Sequence, residues 1–124
     1  MKTRILIVDD EQEIVELLED LLLQKGYEVA KAYNLTEARA QIKAFKPSLM
    51  LLDIKLPDGD GIDFLKEINT KHKELDVIMI TGLADKEIAL DALKNGASDY
   101  ITKPIDLNYL TSSVLAKVIT GFSR

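Results

Sequence analysis

The sequence predicts an α/β protein with one parallel β-sheet that is covered by helices on both faces. Two observations predict this fold: short, continuously apolar runs alternate with longer segments of helical spacing, and the alternation occurs five times. Strands read as continuously apolar when helices bury both faces of their sheet. Right-handed crossover connections then restrict the topology to a doubly wound sheet. The 124 residues fit one domain, which is expected to span residues 1–124.

The first half of the chain is predicted to contain three strands and two helices. RILIV and SLMLL are continuous apolar runs and are the clearest buried strands. Asn34 and Glu37 have the spacing of a capping box at the start of the second helix. The predicted strands are 4–8, 27–32 and 48–52, and the predicted helices are 11–25 and a second one that begins after Asn34 and ends before Pro47.

The second half is predicted to contain two strands and three helices after a loop. Residues 54–61 hold one proline and two glycines, which predicts a loop without regular structure. The last helix is expected to begin at an Asp106 cap. The predicted helices before it are 62–71 and 85–95, and the predicted strands are 77–80 and 99–102.

Composition and charge exclude several classes of function. The chain has no cysteine, which excludes disulfides, thiolate metal sites and cysteine nucleophiles. The net charge is −5 and no dense Lys/Arg tract is present, so direct nucleic-acid binding is not expected. The apolar run after Arg4 is too short for a leader peptide or a membrane span, which favours a cytoplasmic protein. Acidic residues from Glu11 to Asp20 are interpreted as a solvated helix face.

Five polar residues follow directly after four of the predicted strands. Asp9 and Asp10 follow the first strand and Asp53 the third, while Thr81 and Lys103 follow the fourth and fifth. Each has an ordinary explanation when taken alone: an aspartate can cap the next helix, a threonine can end a strand, and a lysine can lie on the surface. In an open parallel sheet, however, the carboxyl ends of the strands meet at one edge, where ligands bind. The five residues are therefore expected to converge.

Three carboxylates at one edge predict a hard cation. Carboxylates at close range raise each other's pKa, and Mg²⁺ relieves this cost with oxygen ligands and retained waters. The phosphate-binding patterns GxxxxGK[ST] and GxGxxG do not occur, and the histidine, His72, falls at the end of a helix far from the strand ends. A carboxylate nucleophile, a metal, a hydroxyl and an ammonium remain, and these groups suit phosphoryl transfer onto an aspartate.

Four stretches of the chain resemble the receiver domain of two-component response regulators. They are ILIVDDE (5–11), LLDIKLPDGDGIDFL (51–65), VIMITG (77–82) and GASDYITKPID (96–106). Together, in this order and spacing, they are highly specific and cover essentially the whole chain. The resemblance implies a flavodoxin-like (βα)5 fold with strand order 2-1-3-4-5.

The resemblance also implies a chemical role for each residue at the strand ends. Asp53 would be the phosphoacceptor and would take a phosphoryl group from the phosphohistidine of a sensor histidine kinase or a phosphotransfer protein. Asp10, Asp53 and the backbone carbonyl of Lys55 would bind Mg²⁺, and Asp9 would bind it through water. Lys103 would pair with a phosphoryl oxygen. The protein would catalyse only its own phosphorylation and dephosphorylation.

The family further implies a conformational switch. Thr81 would turn its hydroxyl toward the phosphoryl group, and Tyr100 would move inward with it. The face formed by the fourth helix, fifth strand and fifth helix would then control an output domain or a downstream protein, with a phosphorylation-dependent dimer as a further expected assembly. The Lys103–Pro104 bond is expected to be cis. Substitutions at Lys55 and Leu83 are expected to alter dephosphorylation more than folding.

Three other functions remain as alternatives. The first is a Mg²⁺-dependent phosphatase on the same sheet, although its nucleophile would follow the first strand in a DxD pattern that this chain lacks. The second is an interaction domain with an inactive site, which would be expected to lack Asp53, Thr81 or Lys103. The third is a flavin-binding domain, which would need a Ser/Thr-rich phosphate loop after the first strand.

Overall fold

The computed structural model describes residues 2–122, which form a five-stranded parallel sheet and five helices. The elements lie close to their predicted positions, with ends that differ by one residue or so. They are β1 (Arg4–Val8), α1 (Gln12–Gln24), β2 (Glu28–Ala32), α2 (Leu35–Phe45), β3 (Leu49–Leu52), β4 (Lys55–Leu56), β5 (Gly59–Asp60), α3 (Gly61–Lys71), β6 (Asp76–Thr81), α4 (Lys86–Lys94), β7 (Asp99–Thr102) and α5 (Leu107–Phe122).

The strands of the main sheet lie in the order β2-β1-β3-β6-β7, and every neighbouring pair is parallel. This confirms the predicted order 2-1-3-4-5, counting only the strands of this sheet. The register aligns Val8 with Leu52 and Thr81 with Thr102. The polar residues that follow these strands therefore leave the sheet at the same edge.

Each face of the sheet has its own apolar layer because side chains alternate along every strand. Along β3, Met50 and Leu52 point into one layer, and Leu49 and Leu51 point into the other. The first layer is covered by α2, α3 and α4, and the second by α1 and α5. The continuously apolar strands are thus buried on both faces, as predicted.

The predicted loop at 54–61 is wrong in one respect, because it contains a short antiparallel hairpin. Lys55 pairs with Asp60 and Leu56 with Gly59, and Pro57 and Asp58 form the turn. Two-residue strands are too short to show an alternating pattern, so proline and glycine dominate the sequence signal. The segment 55–60 is called the hairpin below.

The helix caps confirm most of the expected signals. The Asn34 side chain accepts the N–H of Glu37 at 2.8 Å, but the Glu37 carboxylate accepts the N–H of Tyr33 at 2.9 Å instead of closing the box on Asn34. Asp106 caps α5 by accepting the N–H groups of Asn108 and Tyr109. The Lys103–Pro104 bond is cis, as expected.

None of the helices within residues 2–122 combines the length and apolar character that crossing a membrane requires.

Candidate functional site

Three carboxylates converge at the carboxyl ends of β1 and β3. Asp9 and Asp53 are only 3% and 6% exposed, whereas Asp10 is exposed. One oxygen from each of the three lies within 4.8 Å of the others. The neighbouring strands impose this arrangement, because Val8 and Leu52 are partners in register and an aspartate follows each of them. The predicted cluster of Asp9, Asp10 and Asp53 is therefore present.

Backbone N–H groups orient the two buried carboxylates. Oδ1 of Asp9 accepts the N–H of Glu11 at 2.9 Å, and Oδ1 of Asp53 accepts the N–H of Ile54 at 2.7 Å. Helix α1 begins after Glu11 without a side-chain hydrogen bond at its N-cap, so Asp10 does not cap that helix. Burial raises the pKa of Asp9 above its ordinary value of 3.8, although hydrogen bonds from Lys103 and Glu11 oppose this shift.

Lys103 reaches the same cluster from the end of β7. Its Nζ lies 2.9 Å from Oδ2 of Asp9, 3.2 Å from Oδ2 of Asp53 and 2.7 Å from Oε1 of Glu11. The backbone N–H of Lys103 donates to the carbonyl of Thr81 at 2.8 Å, which fixes the start of the side chain. Burial lowers the pKa of Lys103, but hydrogen bonds to Glu11 and Asp9 outweigh it, and the net shift is upward. Lys103 therefore places a positive charge beside Asp53.

Glu11 is a site residue that the sequence interpretation missed. Its side chain is 57% exposed, as a solvated helix face requires, yet its carboxylate makes the shortest of the three ion pairs with Lys103. The two residues are 92 positions apart, so charge patterning within the helix cannot predict the contact. The one sequence feature that could have indicated its role is its position directly after Asp9 and Asp10.

Thr81 and Tyr100 are joined through the backbone of Leu83. The Leu83 N–H donates to Oγ1 of Thr81 at 3.3 Å, and the Tyr100 hydroxyl donates to the Leu83 carbonyl at 2.5 Å. Thr81 is buried, and Tyr100 is half-buried against the apolar layer under α4. Burial, together with the charges of Asp85 and Asp53, raises the pKa of Tyr100, so the hydroxyl stays protonated and can donate.

Asp99, next to Tyr100, connects β7 to α5. Its Oδ2 accepts the hydroxyls of Tyr109 at 2.8 Å and Ser113 at 2.7 Å, while its Oδ1 accepts the N–H of Tyr100. The hydrogen bond to Asp99 raises the pKa of Tyr109. The position of Tyr100 is thus linked to α5 as well as to Thr81.

Gly61 allows the hairpin and α3 to approach the end of β3 closely. A Cβ atom at this position would overlap the backbone carbonyl oxygen of Asp53. The Gly61 N–H also donates to the carbonyl of Ile54 at 2.6 Å. Because both contacts involve backbone, no side-chain movement could make room for a larger residue.

The donor set fits a hard divalent cation. Mg²⁺ binds oxygen ligands and keeps several waters, and the cluster offers carboxylate oxygens from Asp9, Asp10 and Asp53. The exposed position of Asp10 leaves one side of the cluster open to water. The backbone carbonyl of Lys55, in β4, stays a predicted ligand.

Comparison with known proteins identifies the family. The family model described as the response regulator receiver domain matches residues 5–115. The chain belongs to this family. The family consists of signalling domains of two-component systems, which are typically not enzymes. The predicted function class is therefore confirmed, and the phosphatase alternative is not favoured.

Curated relatives and solved structures agree with this assignment. The transcriptional regulatory protein KdpE of Staphylococcus aureus is 37% identical over 92% of this chain and 49% of its own length. The response regulator protein PilR of Pseudomonas aeruginosa is 41% identical over 91% of this chain and 25% of its own length. The receiver chain thus spans about half or a quarter of these relatives.

Two solved receiver structures match nearly the entire chain. A CheY-like receiver domain protein from Methanospirillum hungatei has a TM-score of 0.93 and 34% identity, covering 99% of this chain and 98% of that chain. The beryllofluoride-activated NtrC4 receiver domain dimer has a TM-score of 0.89 and 32% identity, covering 95% of this chain and 98% of that chain. These matches confirm the predicted flavodoxin-like fold.

Proposed function

We propose that Asp53 of this receiver domain, residues 1–124, accepts a phosphoryl group from the phosphohistidine of a sensor histidine kinase or a phosphotransfer protein. The observation that carries the proposal is the surroundings of Asp53. This carboxylate is buried at the end of the central strand, 3.2 Å from the Lys103 ammonium and within 4.8 Å of oxygens of Asp9 and Asp10. The family assignment supports the same role.

The transfer step exchanges one bond to phosphorus for another. A carboxylate oxygen of Asp53 attacks the phosphorus, and the new O–P bond forms as the N–P bond of the phosphohistidine breaks. The electron pair of the broken bond stays on the imidazole nitrogen. Negative charge spreads over the phosphoryl oxygens in the transition state, so positioned cations and N–H groups accelerate the step. Lys103 supplies the positive charge on the protein side.

The proposed metal ion is Mg²⁺, held by carboxylate oxygens of Asp10 and Asp53 and the carbonyl of Lys55, with Asp9 acting through water. When bound, it would neutralise phosphoryl oxygens that Lys103 does not reach. The oxygen-only donor set supports this choice over softer metals. The receiver would catalyse only its own phosphorylation and dephosphorylation.

The proposed switch acts through Leu83. When the Thr81 hydroxyl turns toward a phosphoryl oxygen, the Leu83 N–H loses its acceptor, and the carbonyl that binds the Tyr100 hydroxyl can shift. Tyr100 already lies in the half-buried position, with its hydroxyl on the Leu83 carbonyl, and phosphorylation would favour this position over an exposed rotamer. Couplings of this kind are worth about 1–3 kcal/mol. The Asp99 contacts with Tyr109 and Ser113 would carry the change to α5.

The proposed readout is the face formed by α4, β7 and α5, which would contact an output domain or a downstream protein. A phosphorylation-dependent dimer is part of this proposal, and the NtrC4 receiver that resembles this chain is described as an activated dimer. The cytoplasmic location and the absence of direct nucleic-acid binding stay predictions.

Phosphorylation by a small donor tests the proposal. The full chain is incubated with Mg²⁺ and acetyl phosphate, and its mass is measured. We expect a gain of one phosphoryl group in the natural chain and in Asp63→Asn, an exposed carboxylate in the first turn of α3 that serves as the matched control. Asp53→Asn should show no gain. Retention of the added mass in Asp53→Asn, or its absence from the natural chain, would contradict the proposal.

A further inference from the structure

Asp58, in the turn of the hairpin, binds the beginning of a helix to which it is not joined. Its Oδ1 accepts the N–H of Leu35 at 2.8 Å, and its Oδ2 accepts the N–H and the hydroxyl of Thr36, both at 3.0 Å. The first N–H groups of a helix have no acceptor within that helix. Asn34 caps Glu37, so Asp58 supplies the acceptors for the two N–H groups before it.

Apolar contacts support the same attachment. Leu35, the first residue of α2, is only 4% exposed and lies against the hairpin at Gly59, where an added Cβ would meet its Cδ1 atom at 2.7 Å. Leu56 of β4 packs against the apolar layer that α2 covers. Polar and apolar contacts therefore fix the turn of the hairpin to α2.

The base of the hairpin is fixed separately. The Gly61 N–H donates to the carbonyl of Ile54 at 2.6 Å, and the Asp60 side chain caps α3 by accepting the N–H of Ile62 at 2.7 Å. The hairpin is thus held at its base by β3 and α3 and at its turn by α2. With both ends held, the backbone between them has little freedom to change direction.

Lys55 lies in this restrained segment, paired with Asp60. A backbone carbonyl has no rotamer, so its direction depends entirely on the backbone that carries it. Mg²⁺ requires nearly ideal octahedral geometry and tolerates little deviation in ligand direction. Groups that orient metal ligands from outside the coordination shell commonly change metal affinity when they are removed.

We infer that Asp58 is a positioning residue for the metal site: by joining the hairpin to α2, it holds the Lys55 carbonyl in the direction that Mg²⁺ requires. This inference rests on the proposed function, because it takes Lys55 as a ligand. Linkage is reciprocal, so bound Mg²⁺ should also strengthen the contacts between Asp58 and α2. The metal site and the amino end of α2 would then form one cooperative unit.

Magnesium affinity tests the inference directly. The Mg²⁺ dissociation constant of the full chain is measured by NMR titration for the natural chain, Asp58→Asn, Asn34→Ala and Asp63→Asn. An amide at position 58 would turn a donor toward N–H groups that need acceptors. We expect Asp58→Asn to weaken Mg²⁺ binding about tenfold. Asn34→Ala removes the other side-chain cap of α2 without touching the hairpin, and Asp63→Asn removes the same charge; both should keep the natural affinity.

The outcomes separate the inference from the proposed function. Equal weakening by Asn34→Ala and Asp58→Asn would show that helix stability alone matters, and it would overturn the inference, as would an unchanged affinity in Asp58→Asn. A natural chain that binds no Mg²⁺ would overturn the proposed function first.

A second measurement needs no variant. Hydrogen exchange of the Leu35 and Thr36 amides in the natural chain should slow when Mg²⁺ is added, while exchange rates that do not respond would overturn the inference even if Asp58→Asn failed to fold.

Discussion

The helices α3 and α4 cover the same face of the sheet, but they are packed very differently. Helix α3 buries Gly61, Ile62, Phe64, Leu65 and Ile68, and it begins at a side-chain cap that also ends the hairpin. Helix α4 buries Ala92 alone among its nine residues. Its residues Leu90 and Leu93 are 50% and 45% exposed.

This difference separates the proposed phosphorylation site from the proposed switch. The hairpin is attached to α2 and α3, where a shift of the backbone would move the carbonyl of Lys55, a proposed ligand. Thr81 and Tyr100 lie toward α4, which has little buried apolar area to hold it in one position. Elements that move in a switch come from the less stable parts of a structure.

The largest expected effect is the loss of a buried side chain from α3. Phe64 is 1% exposed, and Phe64→Ala should lower the free energy of unfolding by about 3–5 kcal/mol because it leaves a cavity. Leu90→Ala in α4 should change it by no more than about 0.5 kcal/mol. Denaturant unfolding of both variants measures the difference. Similar losses in the two helices would refute the contrast in packing.

Magnesium should stabilise the part of the molecule that contains Asp53, the hairpin and α3. A ligand that binds only the folded state at one hundred times its dissociation constant adds about 2.7 kcal/mol. We expect this gain in denaturant unfolding of the natural chain, reversed by a chelator, and a smaller gain in Asp53→Asn. Hydrogen exchange should show the protection around 53–60 rather than in α4. Slower exchange confined to α4 would contradict the prediction, because it would show that Mg²⁺ binding is coupled to α4 and not to residues 53–60.

Removing the Tyr100 hydroxyl, on the side of the sheet toward α4, should lower the free energy of unfolding by a smaller amount. Tyr100→Phe loses the hydrogen bond to the Leu83 carbonyl and should destabilise the fold by about 0.5–1.5 kcal/mol. Tyr109→Phe loses a comparable bond to Asp99, but Tyr109 is 52% exposed, so water replaces the partner and the cost should be lower. Equal losses of unfolding free energy in the two variants would contradict the prediction, because they would show that the burial of Tyr100 does not strengthen its hydrogen bond.

The smallest expected effect is a pH dependence of the contact between Asp58 and α2. The hydrogen bond from the Leu35 N–H is the main cause that lowers the pKa of Asp58 below its ordinary value of 3.8. The stabilisation is therefore present above about pH 3.8 and is lost as the pH falls through the lower, folded-state pKa. The difference in unfolding midpoint between the natural chain and Asp58→Asn should shrink in acid. A difference that grows in acid would contradict the predicted downward shift of the Asp58 pKa.

Local patterns in the sequence predicted the sheet and the convergence of Asp9, Asp10, Asp53 and Lys103, and the family resemblance supplied the strand order. Continuously apolar strands define the layers, and a parallel sheet brings their ends together. Predicting which residues lie at that edge required only the ends of the strands, not the contacts between distant segments.

The contacts that hold these residues were not predictable in the same way. Asp58 binds α2 across 22 and 23 positions, and Glu11 binds Lys103 across 92. Pairing of side chains over such separations depends on the assembled fold and leaves no periodic signal. The burial of Asp9 beside the exposed Asp10 likewise follows from the direction in which β1 ends.

The charged groups gathered around Lys103 give the edge of the sheet a negative formal charge. The Lys103 ammonium pairs with the carboxylates of Asp9, Glu11 and Asp53, and an oxygen of Asp10 lies within 4.8 Å of oxygens of Asp9 and Asp53. Four negative charges against one positive leave a formal charge of −3. A phosphodonor carries about −1.5 to −2 and would be repelled. A divalent cation that binds first would reduce the repulsion, since two positive charges bring the formal charge to about −1. The arrival of the cation before the phosphodonor would then be an electrostatic condition for the proposed phosphorylation.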